Sequence, residues 1–310
     1  MSRSKVSVIG AGAVGATAAQ RIADSGLADV ALVDVVEGMP QGKALDMMQS
    51  APALGGPARG IEGSNDIAAI KGSDVVVLTA GFPRKPGMSR EELLQKNADI
   101  VGPLSQKVGQ YAPDCIFVTV SNPLDIMTCL AWKRSGLDSN RVVGMAGVLD
   151  ASRFAFFVAQ ELGVSSQDIR ATVLGGHGDS MLLLPRYSTV SGIPVTELIP
   201  QERLAQIIER ARNGGAEIVS LLKTGSAYYA PSASVFAMIE AILTGRSRIL
   251  CASAYLKGEY GLKDIFIGVP VKLGAKGVEE TIQLKLDEKE QAALEASADV
   301  IRQGIRQLGL

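Results

Sequence analysis

The chain has one histidine, one tryptophan and three cysteines in 310 residues, and only 5% of it is aromatic. Each scarcity removes a class of protein. Cys115, Cys129 and Cys251 are odd in number, show no C-x-x-C spacing and lie in apolar or helical contexts. With a single histidine beside them they cannot make a structural zinc site, and no metal is expected. Thiols in such surroundings behave as small hydrophobes. No apolar run approaches the length of a membrane span. The opening "MSRSKVSVIG" enters a strand pattern at once and leaves no room for a signal peptide, so a reducing, cytoplasmic location is expected. An excess of one charge is also missing. Thirty-one basic residues against 32 acidic ones leave a net charge of −1, with the basic residues scattered. No field attracts nucleic acid or an anionic membrane, and neither is expected as a partner.

What remains is a globular composition, 47% hydrophobic and 20% charged. The mean hydropathy of +0.21 is high for this length. It calls for a large core or for apolar surface covered by another subunit, and the length allows two ordinary domains.

Along the first half, "KVSVIG" (5–10), "DVALVD" (29–34), "DVVVLTAG" (74–81) and "CIFVTVSN" (115–122) are apolar runs without in–out alternation. Strands of a parallel sheet covered on both faces read this way. Between them, 13–25 and 91–111 have apolar residues at helical spacing, and Pro103 is expected to kink or break the second. This repetition predicts an α/β fold with a doubly wound parallel sheet of Rossmann type over 1–143. After that the pattern changes. Long helical runs at 151–163, 202–223 and 231–245 and strands near 169–174, 247–256 and 265–273 predict an α+β domain over 144–310. "LKDIFIGVPVKLGAKGVEE" reads as antiparallel hairpin material. At 287–308 a helix is expected, with Asp287 and Glu290 in a capping-box pattern.

Gly10-x-Gly12-x-x-Gly15 follows the first strand and opens a helix. The first glycine allows the tight turn, the second lets backbone approach a pyrophosphate, and the third lets helix and strand pack. The phosphates then meet free N–H groups at a helix N-terminus. Asp34 closes "ALVD" about 20 residues beyond the last glycine, where a carboxylate accepts from ribose hydroxyls and repels a 2′-phosphate. The pattern points to NAD rather than NADP.

"TAGFPRKPGMSREELL" (79–94) sets Arg84, Lys85 and Arg90 in a Pro/Gly-rich loop at the carboxyl end of a strand, where open α/β sheets bind ligands. Fixed guanidiniums suit carboxylate substrates. Taken alone, the loop reads more readily as a solvated basic surface, and a second arginine site elsewhere favours the functional reading. In "GVLDASRF" (147–154), Asp150 and Arg153 stand one helical turn apart, either as an exposed ion pair or as a pair facing a ligand crevice. The lone histidine, His177, sits in "LGGHGDSM" among glycines.

In this order and at these intervals, the glycine turn, "PRKPGMSR", "SNP", "LDASR" and "GGHGD" resemble the lactate/malate dehydrogenase family over essentially the whole chain. "TAGFPRKPGMSR" and "LLKTGSAYYAPSA" are most similar to its malate dehydrogenases of the lactate-dehydrogenase-like branch. The resemblance implies that His177 is the acid/base of hydride transfer between malate or oxaloacetate and NAD, with Asp150 orienting it. It implies that Arg153 binds the C1 carboxylate, that Arg90 polarises the reacting carbonyl, and that Asn122 contacts substrate and nicotinamide. Asn97 and Val120 are implied at the cofactor with Gly10, Gly12, Gly15 and Asp34. Arg84 falls on the specificity position, where arginine implies a second carboxylate; Ala227, about where lactate dehydrogenases carry threonine, also points away from lactate. Asp179 reads as structural. The family's dimers and tetramers make a homo-oligomer expected, with 151–163 and 202–223 as interface candidates. The alternatives are a dehydrogenase of lactate or another 2-hydroxy acid, and an NAD(H) sensor without turnover.

Overall fold

Apolar runs that do not alternate need cover on both faces, and they receive it in the computed structural model, which describes residues 3–54, 60–82 and 88–310. The first half runs β1 (Lys5–Ile9), α1 (Ala13–Asp24), β2 (Asp29–Val33), α2 (Met39–Ser50), β3 (Ile61–Ser64), β4 (Val75–Leu78), α3 (Arg90–Tyr111), β5 (Ile116–Thr119), α4 (Leu124–Ser135) and β6 (Val142–Gly144). The six strands are parallel in the order β3-β2-β1-β4-β5-β6. Val6, Val8, Val75, Val76, Val77, Leu78, Phe117 and Val118 are completely buried. The order reverses between β1 and β4, which opens a crevice at the carboxyl ends of the strands.

β4 and β5 are shorter than their apolar runs. Beyond Leu78 the chain leaves the ladder, with the N–H groups of Thr79 and Ala80 both donating to the Ile9 carbonyl. The surplus residues become the lip of the crevice. The break expected at Pro103 does not occur, because α3 runs through it from Arg90 to Tyr111. Leu94, Asn97 and Val101 before the proline and Ser105 and Val108 after it are buried, so packing on both sides offsets the lost hydrogen bond.

The second half runs α5 (Gly147–Leu162), five two-residue strands, namely β7 (Ile169–Arg170), β8 (Val173–Leu174), β9 (Leu182–Leu183), β10 (Thr189–Val190) and β11 (Ile193–Pro194), then α6 (Val195–Leu198), α7 (Gln201–Leu222), α8 (Tyr229–Leu243), β12 (Arg248–Lys257), β13 (Lys263–Gly274), β14 (Gly277–Thr281) and α9 (Glu288–Gln307). The run read as 169–174 is split into β7 and β8. β12, β13 and β14 are antiparallel, and β12 also pairs with β6 through Ser253 and Gly144. Among the described residues the halves therefore share one nine-stranded sheet. Gly144 permits the junction, since a Cβ there would lie 2.8 Å from the Ser253 Cβ and 2.6 Å from the Thr128 hydroxyl. A second, smaller core joins Phe154 and Val158 of α5 to Ile207 and Ala211 of α7.

α9 starts as its sequence predicts. The Asp287 carboxylate accepts from the Glu290 N–H at 2.8 Å, and Glu290 accepts from the Asp287 N–H at 3.0 Å. Replacing Asp287 with alanine is expected to cost about 1 kcal/mol of stability, read as a lower urea midpoint at unchanged slope.

Candidate active site

The glycine turn after β1 has the shape its spacing requires. Gly10 has φ +108°, and a Cβ there would sit 2.7 Å from both the Thr79 hydroxyl and the Ala80 nitrogen. A Cβ on Gly15 would lie 1.9 Å from the Gly10 carbonyl oxygen, which is how closely α1 packs on the turn. Gly12 is different, because a Cβ there would meet nothing within 4 Å. That open side faces the start of α1, whose first turn has no acidic residue and whose N-cap makes no side-chain bond. Unneutralised N–H groups beside open space fit a pyrophosphate. The Asp34 carboxylate accepts from the N–H groups of Ala11 (2.7 Å) and Val36 (3.0 Å), which holds it at the turn with lone pairs remaining for ribose hydroxyls. Lys43 on α2 donates to the Ala11 carbonyl at 2.6 Å, a brace the sequence reading did not identify.

On the other side of the crevice, the Asn97 side chain of α3 is buried and clamps two main-chain segments. Its oxygen accepts from the Phe82 N–H at 2.5 Å, and its amide donates to the Asn122 carbonyl at 2.6 Å. This geometry makes Asn97 a brace between the Phe82 and Asn122 segments. Val120, partly buried, ends the β5 ladder by donating to the Leu78 carbonyl. The Asn122 side chain is exposed at the head of α4.

The histidine loop, between β8 and β9, is held from several directions. Gly175 exchanges hydrogen bonds with Gly268 of β13, and the Gly176 N–H donates to the Ser297 hydroxyl of α9 at 2.8 Å. The His177 N–H donates to Asp125 of α4 at 2.9 Å. Its ring Nδ1 lies 2.8 Å from Asp150 Oδ2 of α5, where the Asp150 side chain is 1% exposed and the His177 side chain 17%. Burial works against the imidazolium, but the charge and hydrogen bond of Asp150, helped by Asp125, outweigh it and raise the His177 pKa above the usual 6.5.

One turn beyond Asp150, the Arg153 guanidinium stands 3.6 Å from Asp150 Oδ1, an ionic contact too long for a hydrogen bond. Burial holds its pKa below the usual guanidinium value, against the pull of Asp150. Arg153 Nε and Asp150 Oδ1 are buried without hydrogen-bond partners. A buried guanidinium with a spare N–H fits a carboxylate ligand. The side chain lies against Gly214 and Gly215 of α7, where a Cβ would come within 3.2 Å and 3.4 Å of it.

Arg90, at the start of α3, donates to the Asp179 carboxylate at 2.7 Å, both side chains being mostly exposed. Arg90 is thereby tied two residues beyond His177. Arg84 lies outside the described residues. His177, Asp150 and Arg153 thus form one cluster, the glycine turn and Asp34 form another, and the "SNPLD" segment runs between Asn97 and the histidine loop. The sequence reading missed Asp125, Ser253 and Ser297. The available signal was Asp125 itself, an acid within a helix whose residues from Leu124 to Ala131 are all buried.

A pyrophosphate-ready turn on a doubly wound sheet, joined to a buried imidazole–carboxylate pair, defines a nucleotide-dependent dehydrogenase. Residues 4–144 match the family model for lactate/malate dehydrogenase, NAD binding domain, and residues 147–308 that for its alpha/beta C-terminal domain, so the chain belongs to the lactate/malate dehydrogenase family. It is 54% identical to a malate dehydrogenase of Methanosarcina barkeri over 98% of this chain and 99% of the relative. Among solved structures, malate dehydrogenase from Salinibacter ruber superposes with a TM-score of 0.94 at 50% identity, covering 98% of this chain and 97% of that one. Lactate dehydrogenase from Cryptosporidium parvum, complexed with lactic acid and nicotinamide adenine dinucleotide, superposes with a TM-score of 0.95 at 40% identity, covering 100% and 99%.

Proposed function

We propose that the chain catalyses the reversible interconversion of malate and oxaloacetate with NAD⁺ and NADH. The observation that carries the reading is the buried His177–Asp150–Arg153 cluster, whose groups match the needs of a 2-oxo acid. Reduction requires a hydride at the carbonyl carbon and a proton at its oxygen. Bound NADH supplies the hydride. His177 gives the proton: with Asp150 on Nδ1, Nε2 is the ring nitrogen left for the substrate oxygen. Arg153, whose guanidinium stands beside Asp150, holds the adjacent carboxylate. Arg90 leaves Asp179 to polarise the carbonyl, and Asn122 contacts substrate near the nicotinamide. In the oxidation direction neutral His177 takes the proton back.

Malate is favoured over lactate by the named relatives and by Arg84 at the specificity position, suited to a second carboxylate. Fold alone does not separate the two substrates, since relatives acting on each superpose almost equally. The deciding experiment is NADH oxidation by purified protein with oxaloacetate and pyruvate run side by side. Pyruvate turning over as well as oxaloacetate would sink the malate assignment.

Asp34 gives NAD preference over NADP. Steady-state kcat/KM is expected to be at least about tenfold higher with NADH than with NADPH, as a carboxylate facing a 2′-phosphate repels it. Equal values would remove Asp34 from cofactor selection. The protein works in the cytoplasm as a homo-oligomer, a dimer or tetramer. Exposed Phe156 on α5 and Val219, Leu221 and Leu222 on α7 support subunit burial at those helices, and light scattering tests it. No helix among the described residues is long and apolar enough to cross a membrane.

A further inference from the structure

Resting on the reading of His177 as the proton-transfer group, we propose that Asp125 is a positioning residue for it, a second buried carboxylate that fixes the main chain of the histidine loop and places negative charge behind the imidazole. Asp150 can orient the ring only if the backbone carrying it stays in place, and the loop around it contains Gly175, Gly176 and Gly178. Asp125 supplies the restraint. Its side chain is buried, with the His177 N–H on Oδ2 at 2.9 Å and the Ser253 hydroxyl on Oδ1 at 2.6 Å. Ser253 is the β12 residue paired with Gly144, so the seam between the two halves of the sheet aims the carboxylate.

Asp150 and Arg153 from α5 and Asp125 from α4 face the imidazole, while His177 and Asp150 face Asp125. Two carboxylates and one guanidinium leave a net negative charge that an imidazolium balances. Burial raises the Asp125 pKa, opposed by the Ser253 and His177 hydrogen bonds and by the His177 charge. Its place in the first turn of α4 favours the anion as well. The two donors and the helix N-terminus favour the anion against burial, which is the largest cause and sets the net upward direction.

Because His177 is the only histidine, its imidazole titrates alone in protein labelled with ¹³C and ¹⁵N histidine, with no substrate or turnover needed. Asp125→Asn keeps the shape and an acceptor for the His177 N–H but removes the charge. Its imidazole midpoint is expected to fall by about one pH unit. The alkaline limb of kcat/KM for oxaloacetate should move down equally, so that above the wild-type midpoint turnover falls about tenfold. Ser253→Ala retains the carboxylate and loses one donor, and is expected to shift the midpoint in the same direction by less. If Asp125→Asn is insoluble, Ser253→Ala decides on the same readout. An imidazole midpoint unchanged from wild type in the soluble variants overturns the proposal. A wild-type protein inactive with every 2-oxo acid would instead sink the dehydrogenase reading, and the titration would still report on Asp125.

Discussion

His177→Asn is expected to bind NADH as tightly as the parent chain and to lose between about 10² and 10⁴ of kcat, the usual worth of a positioned acid/base. An asparagine amide can keep a polar contact to Asp150 but cannot change its charge, so the proton has no carrier. The glycine turn and Asp34 lie in a separate cluster and are untouched, which is why binding should survive. Fluorescence of bound NADH reads the affinity, and its oxidation reads the turnover. Full turnover in this variant would remove His177 from the chemistry. Loss of turnover with intact binding also answers the sensor alternative, for which the histidine would be dispensable. The pH dependence has a definite sign. The raised His177 pKa extends the imidazolium form to higher pH than a free imidazole allows, so oxaloacetate reduction falls only as pH rises past that raised midpoint. Malate oxidation needs the neutral ring and rises over the same interval.

Arg84→Gln is expected to lower kcat/KM for oxaloacetate by several powers of ten and to raise the pyruvate-to-oxaloacetate ratio. The reason is the desolvation of charge. A second carboxylate brought into a closed site without its guanidinium is left unpaired at a cost of several kcal/mol, and each factor of ten corresponds to about 1.4 kcal/mol. With pyruvate the imbalance reverses, because a methyl group leaves the arginine unpaired while glutamine accepts it. Selectivity unchanged in Arg84→Gln would show that the distal carboxylate is read by another residue.

Both expectations start from motifs visible in the chain; the structure describes the surroundings of His177, whereas Arg84 lies outside the described residues. The glycine turn was legible residue by residue, because its requirements are local: a positive φ at Gly10, contact at Gly15 and an open side at Gly12. The capping box of α9 was legible for the same reason. Pro103 does not break α3, since its lost hydrogen bond is a local cost and the burial that outweighs it comes from neighbouring elements. The meeting of His177 with Asp150, 27 residues apart, could be expected only through resemblance to a family. Asn97 is expected at the cofactor from the family resemblance, and its amide is committed to main-chain groups at Phe82 and Asn122.

By itself the sequence determined what depends on near neighbours: buried parallel strands from unalternating apolar runs, the phosphate turn, the helix caps, and residue types able to carry a proton and bind carboxylates. Only the tertiary structure decided which groups restrain the histidine loop. Its ties to Asp125 and Ser297 span 52 and 121 residues, and the tie from Ser253 to Asp125 spans 128. It also decided that β12 extends β6, so that one continuous sheet carries both halves of the site. Such contacts follow from close packing of distant elements, which leaves no periodic mark along the chain, whereas turns and caps are set by backbone angles and hydrogen bonds within a few residues.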